Sequence, residues 1–465
     1  MFFDLMKFKN KIAFVTEDRK IFYQDLAQSS NQIGNAVSRR CLVFLFATNS
    51  VESISAYIGF INNKIVPVMI DSELDTDFAR NLISIYRPEF LFLPKTLQEN
   101  FSGAKIFSFG SYVLLATEEK KPFALNEELA LLMTTSGSTG SPKFVRQTYK
   151  NILSNTKSII DYLQIDSAER AITNLPMHYV YGLSIINTHI FCGASIVVTE
   201  KTLFDKNFWQ LMKDFEVTNL NGVPYTFEML KRLRFFKMYL PALKKITQAG
   251  GKLDSELHLK FAEFAAQNDK KFFVMYGASE ATARMAYLPP EKSLQKIGSM
   301  GIAIPSGRFE LADDEGNLIS KNDEVGELIY YGENVSLGYA ERGEDLSKGD
   351  ERHGRLETGD LAKVDGEGFY TVVGRKKRFL KIFGKRVNLQ EVEHIIRQKF
   401  NVEVAAAGID DKMKIFVTDE NFVEKISPYL SEKLNLHPSA FEVKFINNIP
   451  KNSSGKIIYK DLEKF

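Results

Sequence analysis

The chain has 465 residues, of which 44% are hydrophobic and 25% are charged, and its formal net charge is +2. That length exceeds what one simple core supports, so we expect two or three domains in a soluble globular protein. The near-neutral balance gives no reason to expect nucleic acid or an anionic membrane surface as the main partner.

Two cysteines, Cys41 and Cys192, lie far apart in apolar stretches. We expect both to be buried free thiols in a reducing compartment, which favours a cytoplasmic location. The first residues lack a basic segment followed by an apolar core, so no secretion signal is expected. The longest apolar-leaning stretch, 181–198, contains Asn187 and His189, which favours a buried core segment over a membrane span.

Strand-like and helix-like patterns alternate from residue 42 to residue 276. The predicted strands are 42–47, 65–70, 90–93, 129–133, 171–175, 194–199, 217–223, 246–249 and 271–276, and the predicted helices are 51–62, 75–86, 149–162, 208–215, 225–233 and 254–267. Such alternation predicts right-handed β-α-β units and parallel sheets. We therefore expect two α/β subdomains packed side by side.

The character of the sequence changes beyond about residue 298. Glycines become frequent between short alternating runs such as 309–312 and 327–331, which predicts an antiparallel β section. A last segment then predicts helices at 389–400 and 422–434 and strands at 404–408, 414–417 and 441–445. The predicted class is α/β: a large domain, 1–374, of two α/β subdomains plus a β-rich section, followed by a small α+β domain, 375–465.

A loop of small residues follows the predicted strand 129–133. Its sequence is Thr134-Thr135-Ser136-Gly137-Ser138-Thr139-Gly140-Ser141-Pro142-Lys143. Glycines let the backbone approach a ligand closely, and the hydroxyls and Lys143 offer donors. A strand, such a loop and then a helix from about Tyr149 turn backbone N–H groups toward an anion. The loop is neither a Walker A motif nor G-x-G-x-x-G, and an ordinary turn remains an alternative.

Two further segments carry groups that suit a nucleotide, although each also fits an ordinary turn. The segment from Tyr276 to Glu280 directly follows the predicted strand residues 272–275, and ligands bind beyond the carboxyl ends of parallel strands. The Tyr276 ring suits stacking on a purine, and Glu280 suits a hard cation. Asp360, after Thr358 and a glycine, suits two hydrogen bonds from ribose hydroxyls.

Together these segments resemble the adenylate-forming superfamily, which includes acyl-CoA synthetases, luciferases and the adenylation domains of peptide synthetases. The matching segments are the phosphate loop 135–143, the Tyr-Gly-x-Thr-Glu segment 276–280 with Ser279 in place of Thr, Thr358-Gly359-Asp360 followed by Gly374-Arg375, the hinge and hairpin 374–387, and the Pro-Lys-x-x-x-Gly-Lys motif at 450–456. They occur in the family's order and cover the chain from Thr134 to Lys456. The hinge position carries Lys377, where many members have Asp.

The resemblance implies ATP and Mg²⁺ as cofactors. The implied nucleotide-binding residues are Thr135, Ser136, Gly137, Ser138, Thr139, Gly140, Lys143, Gly250, Tyr276, Gly277, Ala278, Ser279, Asp360, Arg375 and Lys456. Thr135 and Glu280 are the implied magnesium ligands, and Lys456, Glu280 and Lys143 the catalytic residues. The small domain is implied to be mobile, turning about Lys377 and bringing Gly384 toward the pantetheine channel.

The resemblance places the acid pocket at His178, Tyr181 and Gly182, with a rim at Gly251 and Lys252. The Gly250-Gly251-Lys252 turn resembles the family's Gly-Gly-Ala-Pro turn, and Lys252 is a departure. Amino-acid-activating relatives place an Asp in this region, whereas 176–192 contains neither Asp nor Glu. A free α-amino acid is therefore disfavoured, and His178 has no clustered partner spaced for a metal.

The implied reaction is ATP-dependent activation of a small-molecule carboxylic acid to an acyl adenylate, with pyrophosphate release and transfer to the thiol of CoA. The phosphopantetheine of an acyl carrier protein is the alternative acceptor. An oxygenase of the luciferase kind and a catalytically silent nucleotide-binding protein are alternative classes. Retention of the implied catalytic and ribose residues argues against the silent class.

Overall fold

The computed structural model describes residues 2–118, 121–134, 143–383, 385–434, 436–451 and 457–462. By compactness the chain divides into two units, Met1–Phe309 with Tyr330–Leu356 and Glu310–Ile329 with Glu357–Phe465. The boundary predicted between residues 374 and 375 does not coincide with this division, and it stays a prediction. No helix within the described residues is long and apolar enough to cross a membrane.

The strands are β1 (Ile12–Val15), β2 (Lys20–Phe22), β3 (Leu42–Ala47), β4 (Val66–Asp71), β5 (Phe90–Pro94), β6 (Ala104–Phe109), β7 (Tyr112–Ala116), β8 (Leu129–Thr134), β9 (Phe144–Thr148), β10 (Arg170–Ile172), β11 (Ser195–Val197), β12 (Asn219–Gly222), β13 (Lys245–Gln248), β14 (Lys271–Tyr276), β15 (Ala286–Leu288), β16 (Ile302–Ala303), β17 (Gly307–Ala312), β18 (Gly326–Gly332), β19 (Gly338–Ala340), β20 (Arg355–Val364), β21 (Tyr370–Arg375), β22 (Phe379–Ile382), β23 (Lys385–Asn388), β24 (Val404–Ile409), β25 (Lys412–Val417) and β26 (Phe441–Phe445).

The helices are α1 (Tyr23–Val37), α2 (Val51–Asn62), α3 (Thr76–Tyr86), α4 (Tyr149–Leu163), α5 (Val180–Cys192), α6 (Lys206–Asp214), α7 (Pro224–Arg232), α8 (Ser255–Gln267), α9 (Leu389–Phe400), α10 (Val423–Leu434) and α11 (Tyr459–Leu462).

The first unit is built on an eight-stranded sheet in the order β19-β9-β8-β4-β3-β5-β7-β6. Its centre is parallel, because β3 pairs in parallel with β4 and β5, and β4 pairs in parallel with β8. Every residue of β3 is buried, as expected for a central strand covered on both faces. The predicted α/β rhythm of residues 42–94 is therefore confirmed.

A second sheet has the order β12-β13-β14-β15-β16 and is parallel through its first three strands. A third sheet, in the order β10-β11-β1-β2, includes N-terminal strands that the sequence analysis did not predict. The α/β fold class is confirmed, and this small third sheet is an addition to the two subdomains.

The second unit contains a three-stranded sheet in which β24 and β25 are antiparallel and β25 and β26 are parallel. Apolar side chains of α9 and α10 join the core on this sheet, which confirms the predicted α+β character of the C-terminal segment. The predicted antiparallel section forms the sheet β17-β18-β20-β21.

Two structural expectations were wrong. The loop after β8 leads into strand β9, which pairs antiparallel with β8, so α4 does not follow the loop directly. Cys41 is buried, but Cys192, the last residue of α5, is partly exposed; both thiols are free. Burial raises the pKa of the Cys41 thiol to about 12 and that of Cys192 to about 11.

Arg146 on β9 is fully buried and holds the irregular segment around β19. Its guanidinium donates to four backbone carbonyls between Leu337 and Gly349 at 2.5–3.3 Å. It also forms an ion pair with Glu351 at 2.5 Å. These acceptors offset the cost of burying the charge.

We predict that Arg146→Met lowers the free energy of unfolding by about 3–5 kcal/mol, because four backbone carbonyls lose a donor and a hydrogen bond to a charged group contributes about 1.5–3 kcal/mol. Denaturant unfolding of both proteins measures the difference. Arg80→Met is the matched control, because Arg80 and its partner Asp77 are both exposed, and it should cost less than about 1 kcal/mol. Equal losses in the two variants would show that the Arg146 contacts are not stabilising.

Candidate active site

The strands on either side of the small-residue loop bring its two ends together. Thr134 at the end of β8 pairs with Phe144 at the start of β9. The loop residues 135–142, with the predicted Thr135, Ser136, Gly137, Ser138, Thr139 and Gly140, lie outside the described residues. The hydroxyl of Ser279 donates to the carbonyl of Thr134 at 3.4 Å, so the 276–280 segment reaches the start of this loop.

Lys143, at the exit of the loop, lies on one face of Tyr339. Its Nζ is 3.3 Å from the centre of the Tyr339 ring and 3.7 Å from a carboxylate oxygen of Glu341. The Tyr339 hydroxyl donates to Glu280 Oε1 at 2.6 Å. A cation and a carboxylate are therefore held on the same tyrosine, close to the loop.

Tyr339 stays protonated, because burial and the neighbouring Glu280 carboxylate raise the pKa of its hydroxyl. Arg352 completes the cluster, with its guanidinium carbon 4.6 Å from the same ring and an N–H donated to the Glu280 carbonyl at 3.2 Å. Sequence reasoning missed Tyr339, since only the pairing of β19 with β9 brings residue 339 to residue 143.

The segment from Tyr276 to Glu280 doubles back at the carboxyl end of β14. A Cβ added to Gly277 would lie 1.8 Å from the carbonyl oxygen of Ala283, so only glycine permits this crossing. Residues Ser279–Ala281 then form one 3₁₀ turn. The crossing directs Glu280 toward Tyr339.

The predicted ribose pair lies in the second unit. Asp360 on β20 and Arg375 on β21 are cross-strand partners, and Arg375 Nε donates to Asp360 Oδ1 at 3.0 Å. The Thr358 hydroxyl accepts the Asp360 N–H at 3.1 Å and donates to the carbonyl of Leu328 at 2.7 Å. The structure thus brings together two residues that lie 15 positions apart in the sequence.

The predicted hinge and tail lysine are only partly described. Lys377 lies in the 3₁₀ turn Lys376–Arg378, whereas Gly384 and Lys456 lie outside the described residues. Arg378 donates to Glu393 at 2.6 Å and stacks on the ring of Tyr459 at 3.6 Å. The residue after the predicted hinge therefore contacts α11, the helix that follows the tail motif.

His178 and Tyr181 lie at the predicted acid pocket. Nε2 of His178 is 3.5 Å from Asp71 Oδ2, and burial lowers the pKa of His178 although Asp71 opposes the shift. The segment 176–192 contains no acidic residue, but β4 supplies Asp71 from a distant part of the chain. A Cβ added to Gly182 would lie 2.2 Å from the carbonyl oxygen of Pro176, so Gly182 is a close-packing position.

The turn after β13 carries the predicted rim of the pocket. Gly250 has φ of 88°, and an added Cβ there would lie 2.8 Å from the Tyr179 hydroxyl. Gly251 and Lys252 are exposed, and the Gln248 side chain donates to the Gly251 carbonyl at 2.8 Å. The rim residues thus occupy one turn beyond the end of the strand.

A small cavity of about 20 Å³ extends from Tyr181 between α4, α5 and the second sheet, and we call it the pocket. The Tyr181 hydroxyl lies 2.6 Å from Thr247 Oγ1, which donates to Asn221 at 2.7 Å. Farther along, Lys245 and Glu169 form a buried ion pair at 2.7 Å. The pocket wall is polar and hydrogen-bonded on its sheet side.

Among the described residues, no group of three or more His, Cys, Asp or Glu side chains is placed to hold a metal ion. Glu280 is nevertheless partly exposed. Magnesium needs only one or two protein carboxylates when phosphate oxygens supply the remaining ligands, so Glu280 fits such a cation.

The comparisons with known proteins agree with this geometry. A family model described as AMP-binding enzyme matches residues 4–340. A 2-succinylbenzoate–CoA ligase of Bacillus pumilus is 25% identical over 96% of this chain and 93% of its own length. A luciferin 4-monooxygenase of Photuris pensylvanica is 28% identical over 79% of this chain and 70% of its own length.

Among solved structures, an O-succinylbenzoate Coenzyme A synthetase from Bacillus subtilis in complex with ATP and magnesium ion superposes with a TM-score of 0.80. It is 22% identical, and the match covers 99% of this chain and 98% of that one; at this identity the likeness shows the fold. The family model covers well over half of the chain, so the chain belongs to the AMP-binding enzyme family, as its motifs predicted.

Proposed function

We propose that the chain activates a carboxylic acid with ATP and Mg²⁺, releases pyrophosphate, and transfers the acyl group to the thiol of CoA. The observation that carries the proposal is that Tyr339 holds Lys143 on its ring face and Glu280 at its hydroxyl, next to the predicted phosphate loop. Family membership and the relative named as a CoA ligase support it. A small-molecule carboxylic acid is then the substrate.

The chemistry explains why these charges are needed. A carboxylate oxygen attacks the α-phosphorus of ATP, the bond between the α-phosphorus and the bridging oxygen breaks, and pyrophosphate leaves with the electron pair. A thiol then attacks the acyl carbon of the adenylate, and AMP leaves. In this proposal Lys143 holds the departing pyrophosphate, and Lys456 neutralises charge that develops between the carboxylate and the α-phosphate.

When bound, Mg²⁺ would neutralise phosphate charge from a position at Glu280, with Thr135 as its second protein ligand. Tyr339 fixes the orientation of the Glu280 carboxylate through their 2.6 Å hydrogen bond. An oriented carboxylate matters because Mg²⁺ tolerates little departure from octahedral geometry.

CoA is our choice of acceptor, since the relative's name supports it and nothing among the described residues favours a carrier protein. We place the enzyme in the cytoplasm, where free thiols such as Cys41 persist. We also propose that residues 375–465 turn about Lys377 between the two half-reactions.

The first prediction tests the function itself. Acyl or aryl acids should support exchange of labelled pyrophosphate into ATP, whereas the matching α-amino acids should not. The reason is that the segment 176–192, which holds His178, Tyr181 and Gly182, supplies no carboxylate to pair an α-amino group, and Glu169 beside the pocket is already paired with Lys245. Robust exchange with a proteinogenic amino acid would overturn the assigned substrate class, and absence of exchange with every acid would overturn the function.

A second prediction concerns the ribose. Asp360→Ala should weaken ATP binding by about 2–3 kcal/mol, the scale of hydrogen bonds to a charged group, as measured by calorimetric titration. The matched control is Asp323→Ala, because Asp323 is an exposed partner of Lys363 in the same unit, and it should leave the affinity unchanged. Asp360→Ala should also discriminate less than the parent between ATP and 2′,3′-dideoxy-ATP. Equal discrimination by the two proteins would rule out the ribose role of Asp360.

A third prediction separates the half-reactions. Lys456→Ala should slow adenylation by about 10²–10³-fold, the usual effect of losing one preorganised charge-stabilising group, and leave thioester formation from synthetic acyl adenylate intact. The surface variant Lys412→Ala serves as its control. Single-turnover assays of each step provide the measurement.

The hinge variant Lys377→Pro should leave adenylation intact and slow thioester formation, because a fixed φ hampers rotation about the hinge. The control variant Lys377→Ala keeps φ free and should behave as the parent. A Lys456→Ala variant that slows both steps equally would show that the lysine is not specific to adenylation.

A further inference from the structure

Arg284 is a buried cation that faces the pocket beside Tyr181. Only 3% of the residue is exposed, and it is among the residues that line the pocket. Its guanidinium carbon lies 3.8 Å from the centre of the Tyr181 ring. A guanidinium remains protonated in proteins, so this end of the pocket carries a full positive charge.

No carboxylate in the described part of the chain forms an ion pair with Arg284. Its Nη1 donates a long hydrogen bond to the carbonyl of Ala283 at 3.4 Å, its side chain also contacts the Tyr162 hydroxyl, and its Nε has no hydrogen-bond partner. Arg146 differs in this respect, since that buried guanidinium reaches four carbonyls and Glu351. Burying a charge without such partners is costly.

The remaining charged groups of the pocket cancel one another. Lys245 is paired with Glu169 at 2.7 Å. His189 is neutral near pH 7, because burial lowers its pKa to about 4, and its Nε2 lies 2.9 Å from Asn219. Arg284 is therefore the uncompensated charge among the described lining residues, and the pocket favours an anionic group.

The side chains of Glu280 and Arg284 point to different surroundings. Glu280 meets Tyr339 on β19, whereas Arg284 meets Tyr181 on α5. The backbone of Gly277 crosses that of Ala283 within the same short segment. An acid whose reacting carboxylate lies toward Glu280 therefore meets Arg284 with another part of its structure. A second anionic group on that part would pair with the guanidinium.

We propose that the acid activated by this enzyme is a dicarboxylic acid, and that Arg284 binds the carboxylate that does not react. The inference rests on the proposed function and narrows its substrate class. A planar guanidinium binds a carboxylate through two parallel hydrogen bonds, and Nε supplies one donor that the protein leaves unused. The limited volume of the pocket favours short acids.

The test compares acids that differ by one carboxylate, using pyrophosphate exchange. Suitable pairs are succinate with butyrate, glutarate with valerate, and 2-succinylbenzoate with 4-oxo-4-phenylbutanoate. The parent enzyme should prefer one or more of the diacids over its matched monoacid by on the order of 10²-fold or more in kcat/KM, because an unmatched buried donor penalises the analogue.

Arg284→Met should lower kcat/KM for the preferred diacid by on the order of 10²–10³-fold and change that of its monoacid by less than about threefold. Arg284→Lys should fall between the parent and Arg284→Met, since it keeps the charge and loses the fork. Arg308→Met is the matched control: Arg308 also stacks on a tyrosine, Tyr331, at 3.7 Å, but it is exposed, and its removal should leave the preference for diacids unchanged.

Thermal unfolding separates binding from folding. Replacing an uncompensated buried charge with an apolar side chain is neutral or stabilising, so Arg284→Met without ligand should melt at or above the parent temperature. The preferred diacid should raise the melting temperature of the parent and not that of the variant. A variant that melts well below the parent would assign Arg284 a structural role and overturn the inference.

Three kinetic outcomes also overturn the inference. The first is an equal kcat/KM of the parent for diacids and monoacids, and the second is an equal fall of both values in Arg284→Met. The third is that Lys252→Met, and not Arg284→Met, loses the preference for diacids. Failure of the proposed function looks different. In that case no acid supports pyrophosphate exchange. A diacid that still raises the melting temperature of the parent, and not that of Arg284→Met, would then uphold the anion site.

Discussion

The buried guanidinium of Arg146 is the contact on which the site in the first unit depends. It joins β9, the strand that leaves the phosphate loop, to the segment that contains β19. Lys143 comes immediately before β9, and Tyr339 lies on β19. Their contact with each other, and the hydrogen bond of Tyr339 to Glu280, follow from that junction.

Close backbone crossing is the second constraint on the site. Gly277 passes Ala283 without room for a side chain. Glu280 and Arg284 lie four positions apart, and their side chains lie in different environments. One short segment therefore presents an anion beside Tyr339 and a cation toward the pocket. In the second unit, Glu393 joins Arg378 to Tyr459, so the residue after the predicted hinge and the helix after the tail motif share one carboxylate.

Local signals predicted the regular elements well. The bounds of α2 were predicted as found, because Ser50 caps its first turn and apolar residues recur along it, and strand β3 was clear from its apolar run. Helix α5 was not predicted, since it is buried on nearly all sides and shows no amphipathic period. Strand β9 was missed because it is a short run between a loop and a helix.

The candidate site was predictable only where it is encoded in contiguous motifs. Lys143, Glu280, Asp360 and Arg375 were found in this way. Tyr339, Asp71 and Arg284 were not, because their importance arises from strand pairing and burial rather than from their neighbours in sequence. Arg284 is an ordinary arginine in the sequence, and only the absence of a carboxylate partner among the described residues marks it as a candidate ligand-binding group.

The most direct mark of adenylation is the passage of a carboxylate oxygen to AMP. The measurement uses an acid labelled with ¹⁸O at both oxygens of the reacting carboxylate, with ATP, Mg²⁺ and CoA, and analyses the products by mass spectrometry. We expect AMP with one ¹⁸O on phosphorus, unlabelled pyrophosphate, and a thioester that retains the other ¹⁸O. Unlabelled AMP, or ADP with labelled inorganic phosphate, would contradict attack of the carboxylate on the α-phosphorus.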